Sequence, residues 1–404
     1  MRQTDIAIVG GGLAGSAAAF MLGRSGYGTV LIDAREEYPP DFRCEKLDAS
    51  QVRLLHQTGL ADAVLQAATP YREVWVARHG RLVERQRNAQ YGIPYDALVN
   101  TVRGQIPPAV PFIPAWATGI AATSTRQTLT LSNGEGLSAR LVILANGLND
   151  GLRRTLGMAS EKLSACHSVS IGFDVRPLDR PAFDFPALTY FPAHTGDQMA
   201  YLTLFPIGPT MRANLFVYRA LHDPWLRTLR DTPETALRAA MPGLDALMGP
   251  FETSGKIRIR PVDLCATTGY RQPGIVLVGD AFATSCPAAG TGLNKVLTDV
   301  ERLCRIHIPC WLGTEGMGGT KIGSFYDDPV KIACDAHSAR KARRLRSLST
   351  DIALPWRVRR WSRSFGHAGI VAFRHTRERL SLGPRPFGFR DGPGASTGPR
   401  RPTN

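Results

Sequence analysis

No apolar run in this chain approaches the roughly 18 to 20 residues that a membrane-spanning helix needs. No two cysteines stand in the C-x-x-C spacing of a zinc ribbon or a redox dithiol. The seven that exist, Cys44, Cys166, Cys265, Cys286, Cys304, Cys310 and Cys334, are scattered and odd in number, so reduced and mostly buried thiols are expected. Internal repeats are missing too, which argues against a solenoid or propeller. An apolar strand begins at Ile6 with no signal-peptide layout before it, and the expectation is a cytoplasmic protein.

Strong charge is missing from most of the chain. The net charge is +15, but residues 331–404 hold 17 Lys or Arg against 4 Asp or Glu, which leaves only +2 for the first 330 residues. The basicity therefore belongs to the C-terminus, and nucleic acid is not the expected partner of the body. With 404 residues, 43% hydrophobic and 21% charged, the composition is that of a soluble globular chain with room for one large or two joined domains.

What is present begins with a short apolar strand at Asp5–Val9, then Gly10-Gly11-Gly12-Leu13-Ala14-Gly15 leading into an Ala-rich helix. A second strand, Thr29–Ile32, closes on Asp33, and this βαβ opening predicts a parallel sheet. Two further strands, Leu141–Ala145 and Ile275–Val278, end in Asn146-Gly147 and Gly279-Asp280, at the carboxyl edge where ligands of such sheets bind. Between them residues 165–262 turn β-rich. The fold expected is α/β: a discontinuous Rossmann-like domain over 1–164 and 263–330, with an antiparallel substrate sheet over 165–262 inserted in it. A basic helical region is expected over 331–382 and a Gly/Pro-rich disordered tail over 383–404.

Each fingerprint position has a mechanical reason. Gly10 permits the tight turn, Gly12 lets backbone approach a pyrophosphate and Gly15 lets helix and strand pack closely, while the helix start supplies positive potential. Asp33 stands where a carboxylate accepts hydrogen bonds from an adenosine ribose. Which dinucleotide binds is left open by these residues. A second constellation runs from Gly279-Asp280-Ala281 to Pro287-Ala288-Ala289-Gly290-Thr291-Gly292-Leu293-Asn294, an acid after a buried strand and then a Gly-rich entry into a helix.

In that spacing the chain resembles the FAD-dependent aromatic hydroxylases, the group A flavoprotein monooxygenases of the p-hydroxybenzoate hydroxylase kind. The resemblance implies FAD as cofactor, with Asp280 on the ribityl hydroxyls and Pro287 beside the reactive ring. Gly290, Thr291, Gly292, Leu293 and Asn294 would meet the pyrimidine end. It also implies NAD(P)H as reductant and O2 as co-substrate, with hydroxylation of an aromatic or polyketide-like molecule through a C4a-hydroperoxyflavin. Arg43 resembles the family arginine that reaches the phosphates and reductant, with a surface arginine as the alternative, and Gln105 approximates a position near the ribityl chain. The family's D-G-x-x-S-x-x-R motif is altered here. Gly147 and Arg153 are kept, but Asn146 and Asp150 replace Asp and Ser, and a plain left-handed turn explains Asn146-Gly147 equally well.

On the substrate side a region is expected rather than a base: the sheet face bearing Tyr190, His194, Tyr201 and Thr203. Two other functions share these motifs or fit the tail. One is a reductase resembling the geranylgeranyl reductases; the other is a flavin-bound docking protein that meets a membrane or partner peripherally through its basic C-terminus.

Overall fold

The computed structural model describes residues 1–192, 195–356 and 358. Chain order begins β1 (Arg2–Val9), α1 (Leu13–Arg24), β2 (Thr29–Asp33), β3 (Lys46–Leu47), α2 (Ala49–Thr58) and α3 (Ala61–Ala67). It continues through β4 (Thr69–Arg78), β5 (Arg81–Gly92), α4 (Tyr95–Gly104), β6 (Phe112–Pro114), β7 (Ala117–Ala121), β8 (Gln127–Leu131) and β9 (Gly136–Leu144). After α5 (Gly151–Thr155) come β10 (Ala159–Pro177), β11 (Leu188–Phe191), β12 (Met199–Ile207), β13 (Thr210–Val217), then α6 (Pro224–Asp231), α7 (Pro233–Ala240) and α8 (Leu244–Met248). The chain returns through β14 (Phe251–Thr268) and β15 (Ile275–Leu277) to α9 (Gly292–Arg302), α10 (Ile308–Leu312), α11 (Gly319–Tyr326) and α12 (Pro329–Thr350).

The first sheet runs β6-β2-β1-β9-β8-β7, with β15 also paired to β9. Its centre is parallel: Ile8 aligns with Leu31 on one side and Ile143 on the other, and Val276 with Ile143. The central residues of these strands are apolar because both faces are covered, with Ala17, Ala18, Phe20 and Leu297 packed on Ile6, Ile8 and Ile143 on the helical side, and Leu129, Val142 and Leu277 in the core on the other. The strand, helix and acid expected near the N-terminus are all present, and the strands ending at Asn146 and Asp280 lie side by side.

The second sheet is larger than the 165–262 insertion expected. Its order is β14-β10-β13-β12-β11-β4-β5-β3, so three strands from residues 46–92 join it, and the β11–β4 pair is parallel rather than antiparallel. The β4–β5 hairpin turns on His79 and Gly80, both at positive φ (52° and 73°), the geometry that lets a two-residue turn follow strand twist. A His-Gly pair between two polar-looking strands is a weaker sequence signal than Asn-Gly, which is why these strands escaped the reading. One face of the sheet packs on α6–α8 through residues such as Ile171, Leu202, Leu215 and Leu237; the other faces the first domain.

The helices expected after residue 295 are present through α12, and among the described residues no helix is long and apolar enough to cross a membrane. The expectations for residues 359–382 and 383–404 lie outside the described residues. Part of the basic run does not form a solvated face: Lys331 is 1% exposed and Arg346 turns inward to Ser164 and His167.

Asp328 caps α12 by accepting from Val330 N and Lys331 N, and also meets Arg302 and His307. Burial pushes its carboxyl up, but these hydrogen bonds outweigh it and hold the pKa at about 2. A depressed carboxyl stabilises the fold above its unfolded value near 4 and loses that contribution as pH falls towards 2. Acid titration of stability should therefore show a drop of about 2 kcal/mol in that window that Asp328→Asn removes.

Candidate cofactor site

Two glycines shape the start of the site. Gly10 takes φ +104°, and a Cβ there would lie 2.6 Å from Ala145 O; at Gly15 a Cβ would lie 1.9 Å from Gly10 O. Only glycine lets strand β1, its neighbour β9 and helix α1 meet this closely. Gly12, by contrast, is open, and α1 begins there with no side-chain cap and no acid in its first turn. Its free N–H groups face an open cleft of about 330 Å³ at the carboxyl edge of the sheet.

Gly10, Gly12, Leu13, Ala14, Asp33, Arg43, Gly147 and Asp280 all line this cleft, so residues far apart in sequence are brought to one groove. Asp33 accepts Gly11 N at 2.6 Å and Arg35 N at 2.9 Å, which fixes its carboxylate at the groove's far end. Gly147 takes φ +60°, as a left-handed turn requires, and Arg153 ties that turn to the Asp280 segment by donating from Nη1 to Gly147 O (3.0 Å) and Ala281 O (2.5 Å). The retained motif arginine thus joins two cleft loops from inside.

Arg43 is no surface arginine. Its Nη1 meets Asp280 Oδ2 at 2.9 Å and its Nε meets Asp41 Oδ2 at 2.6 Å, over the ring of Tyr95. Burial alone would push the Asp41 carboxyl up, yet the hydrogen bond and charge of Arg43 hold it below the usual range. The segment carrying Arg43 is clamped to the second sheet. Arg260 holds Asp41 and Phe42 O, the Phe42 ring fills the space over Gly172, and the buried Glu45 binds Arg212 at 2.6 Å. The Asn214 amide, with its nitrogen towards Glu45, adds a contact at 3.1 Å.

The other expected residues among those described do not line this cleft. Gly290, Thr291 and Asn294 line a separate hollow of about 200 Å³ with Asp48 and Lys341, while Gly292 opens α9 and Leu293 is buried in the core. Pro287 begins a single turn whose Ala288 O accepts from Tyr201 Oη at 2.6 Å. Tyr190 is not on the face with Tyr201: it pairs with Leu202, so strand alternation turns it to the opposite side, where it is fully buried and donates to Pro242 O. Gln105 is exposed past the end of α4 and does not line the cleft, and His194 lies outside the described residues.

Sequence reasoning missed Arg103, two residues before Gln105. Its Nε donates to Gly11 O at 2.7 Å, and its Nη2, 3.6 Å from Asp33 Oδ2, is buried without a hydrogen bond among the described residues. Asn146 Oδ1 is likewise buried and unpartnered at the cleft. A donor and an acceptor left open beside a bare helix start and the Asp33 carboxylate fit a dinucleotide.

The profile of the FAD binding domain family matches residues 3–103 and 117–313. The chain belongs to this family. Among curated relatives, it is 28% identical to 3-demethoxyubiquinol 3-hydroxylase of Escherichia coli (strain K12) over 328 residues, covering 76% of this chain and 80% of that protein. It is 25% identical to a 3-amino-4-hydroxybenzoate 2-monooxygenase of Streptomyces platensis over 319 residues, covering 74% and 78%. In fold it matches p-nitrophenol 4-monooxygenase of Pseudomonas putida DLL-E4 with a TM-score of 0.72 at 16% identity, over 96% of this chain and all of the other. The protein is thus an FAD-dependent oxidoreductase of the aromatic-hydroxylase kind, and the cleft's donors and acceptors suit FAD.

Proposed function

We propose that this flavoprotein is a monooxygenase that places one atom of O2 on a small aromatic or polyketide-like substrate, with NADH or NADPH as electron donor. Bound FAD supplies the redox and oxygen-activating chemistry; the chain supplies position, dryness and hydrogen bonds. The observation that carries the reading is the buried surface that continues the Asp280 segment. There the Cys286–Ala289 turn closes against Tyr201 and Phe216 of the second sheet and Tyr218 just past the end of β13. Such a surface, aromatic with a few polar atoms, suits a ring bearing oxygen substituents.

Burial pushes the phenols of Tyr201 and Tyr218 up, so both remain donors at neutral pH. Tyr201 spends its proton on Ala288 O, holding the Pro287 turn, whereas Tyr218 Oη and Ser170 Oγ are buried without a hydrogen bond among the described residues. Holding a substrate oxygen with those two hydroxyls requires that this closed face open on binding. The names of the relatives, a hydroxylase and a monooxygenase, agree with oxygenation.

The test is turnover under labelled O2 with NADH or NADPH and a panel of phenols, anilines and hydroxyquinones, following flavin bleaching, O2 uptake and product mass. One labelled oxygen atom per product molecule is expected. Substrate-stimulated NAD(P)H oxidation that yields only hydrogen peroxide, or full turnover without O2, would overturn the proposal.

A further inference from the structure

Two large apolar side chains stand exposed on the lip of the cofactor cleft, Trp116 at 55% and Leu148 at 57%, and both line the cleft beside Asp33. Neither is loosely rooted. Trp116 N donates to Ser132 Oγ at 3.0 Å and Trp116 O accepts from Ser132 N at 2.8 Å. The residue before it, Ala115, donates its N–H to Asp33 O at 3.1 Å, which fixes the indole's root to the strand that carries the acid. Leu148 sits within the turn closed by Asn146 Nδ2 on Asn149 O at 3.0 Å. Rigid backbone thus presents an aromatic plane and an aliphatic surface to solvent at the one end of the groove where Asp33 is placed to hold a ribose.

The group attached to that ribose is flat, apolar on its faces and polar at its edge. We infer that Trp116, supported by Leu148, is the stacking surface for the adenine of FAD, and that this contact is what holds the base at that end of the groove. The inference rests on FAD occupying the cleft. It adds the residue that recognises the base, which neither the glycine fingerprint nor Asp33 can do, since phosphate and ribose are common to every nucleotide. Indole–base stacking is typically reduced by alanine substitution by a factor of about 5 to 150 in affinity.

The test uses the full chain stripped of flavin and titrated with FAD and, separately, with ADP as competitor, for wild type, Trp116→Ala and Trp116→Phe. Because Trp116 is largely exposed, the alanine variant should fold, and circular dichroism checks this. The expected result is a loss of about 10-fold or more in affinity for both FAD and ADP in Trp116→Ala, with Trp116→Phe within about 5-fold of wild type. Unchanged FAD affinity in Trp116→Ala would overturn the assignment. So would a loss for FAD with none for ADP, which would put Trp116 against the flavin end. Failure of the wild type to bind FAD would instead strike at the cofactor assignment itself, so the two failures are distinguishable.

Discussion

Lys331→Met is expected to cost about 3–5 kcal/mol of stability and to loosen the cofactor site with it. Lys331 and Asp299 are 1% and 2% exposed in their side chains and 2.8 Å apart, deep between α12 and α9. Burial works against the charge on Lys331, but Asp299 and Asp335 outweigh it and keep the ammonium protonated; burial pushes the Asp299 carboxyl up. The ammonium also lies 4.1 Å from the ring centre of Phe282. Removing it leaves a carboxylate shut off from solvent with little compensation, since Lys295 is held by Asp335 and Ala283 O.

The consequence reaches the site because Asp299 Oδ2 accepts Gly279 N at 3.1 Å, one residue before Asp280. Urea unfolding should show the lower midpoint, and flavin should dissociate from the variant more readily. The deficit should shrink as pH falls: a raised carboxyl pKa in the folded state means that stability declines as pH rises past the unfolded value, and recovers once the group is protonated. The pair Lys331→Met with Asp299→Asn should regain much of the loss, since the asparagine oxygen can still accept Gly279 N and no charge remains buried. A single variant as stable as wild type would show that α12 does not brace the Asp280 turn.

These contacts also show where sequence stops speaking. The fingerprint could be read because its requirements are local: a strand, a glycine turn and a helix start lie within residues 5–24, and Asp33 ends the next strand. The Asp280 segment could be read as a ligand contact because a buried strand ends in an acid, and its assignment to the flavin came only through the family resemblance. Arg103 and Trp116 could not, because each owes its place to how α4 and the β6–β7 connection cross the first sheet, and an arginine or tryptophan alone carries no periodicity. Gln105 failed for a related reason: α4 ends at Gly104, so the next side chain escapes the face that holds Arg103. Tyr190 failed by parity. A strand's alternation assigns faces only relative to its partner, and the register placing Tyr190 opposite Leu202 was not visible in the sequence. The sheet's extra strands, β3 to β5, were missed because β5 alternates weakly and carries Arg81, Arg85 and Arg87 towards solvent.

Arg43→Met is expected to weaken FAD binding by about 10- to 100-fold while leaving the fold intact. At 28% and 30% side-chain exposure, Arg43 and Asp280 form a partly solvated pair whose loss should cost stability only about 1 kcal/mol. Asp41 keeps Arg260 and the Tyr38 hydroxyl as partners, so the loop does not lose its anchor to the second sheet. What disappears is a cation that lines the same groove as the uncapped start of α1, where on the proposed reading it would meet a phosphate. Arg43→Lys should recover part of the affinity, since it restores charge but not the fork that reaches Asp41 and Asp280 together. Titration of flavin-free variants with FAD measures the first effect, and the rate of flavin bleaching by NADH or NADPH in the reloaded protein measures whether the same cation also serves the reductant. Slowed bleaching with unchanged FAD affinity would move Arg43 from cofactor anchor to reductant contact; no change in either would leave it with the structural task of tying residues 41–46 to Asp280.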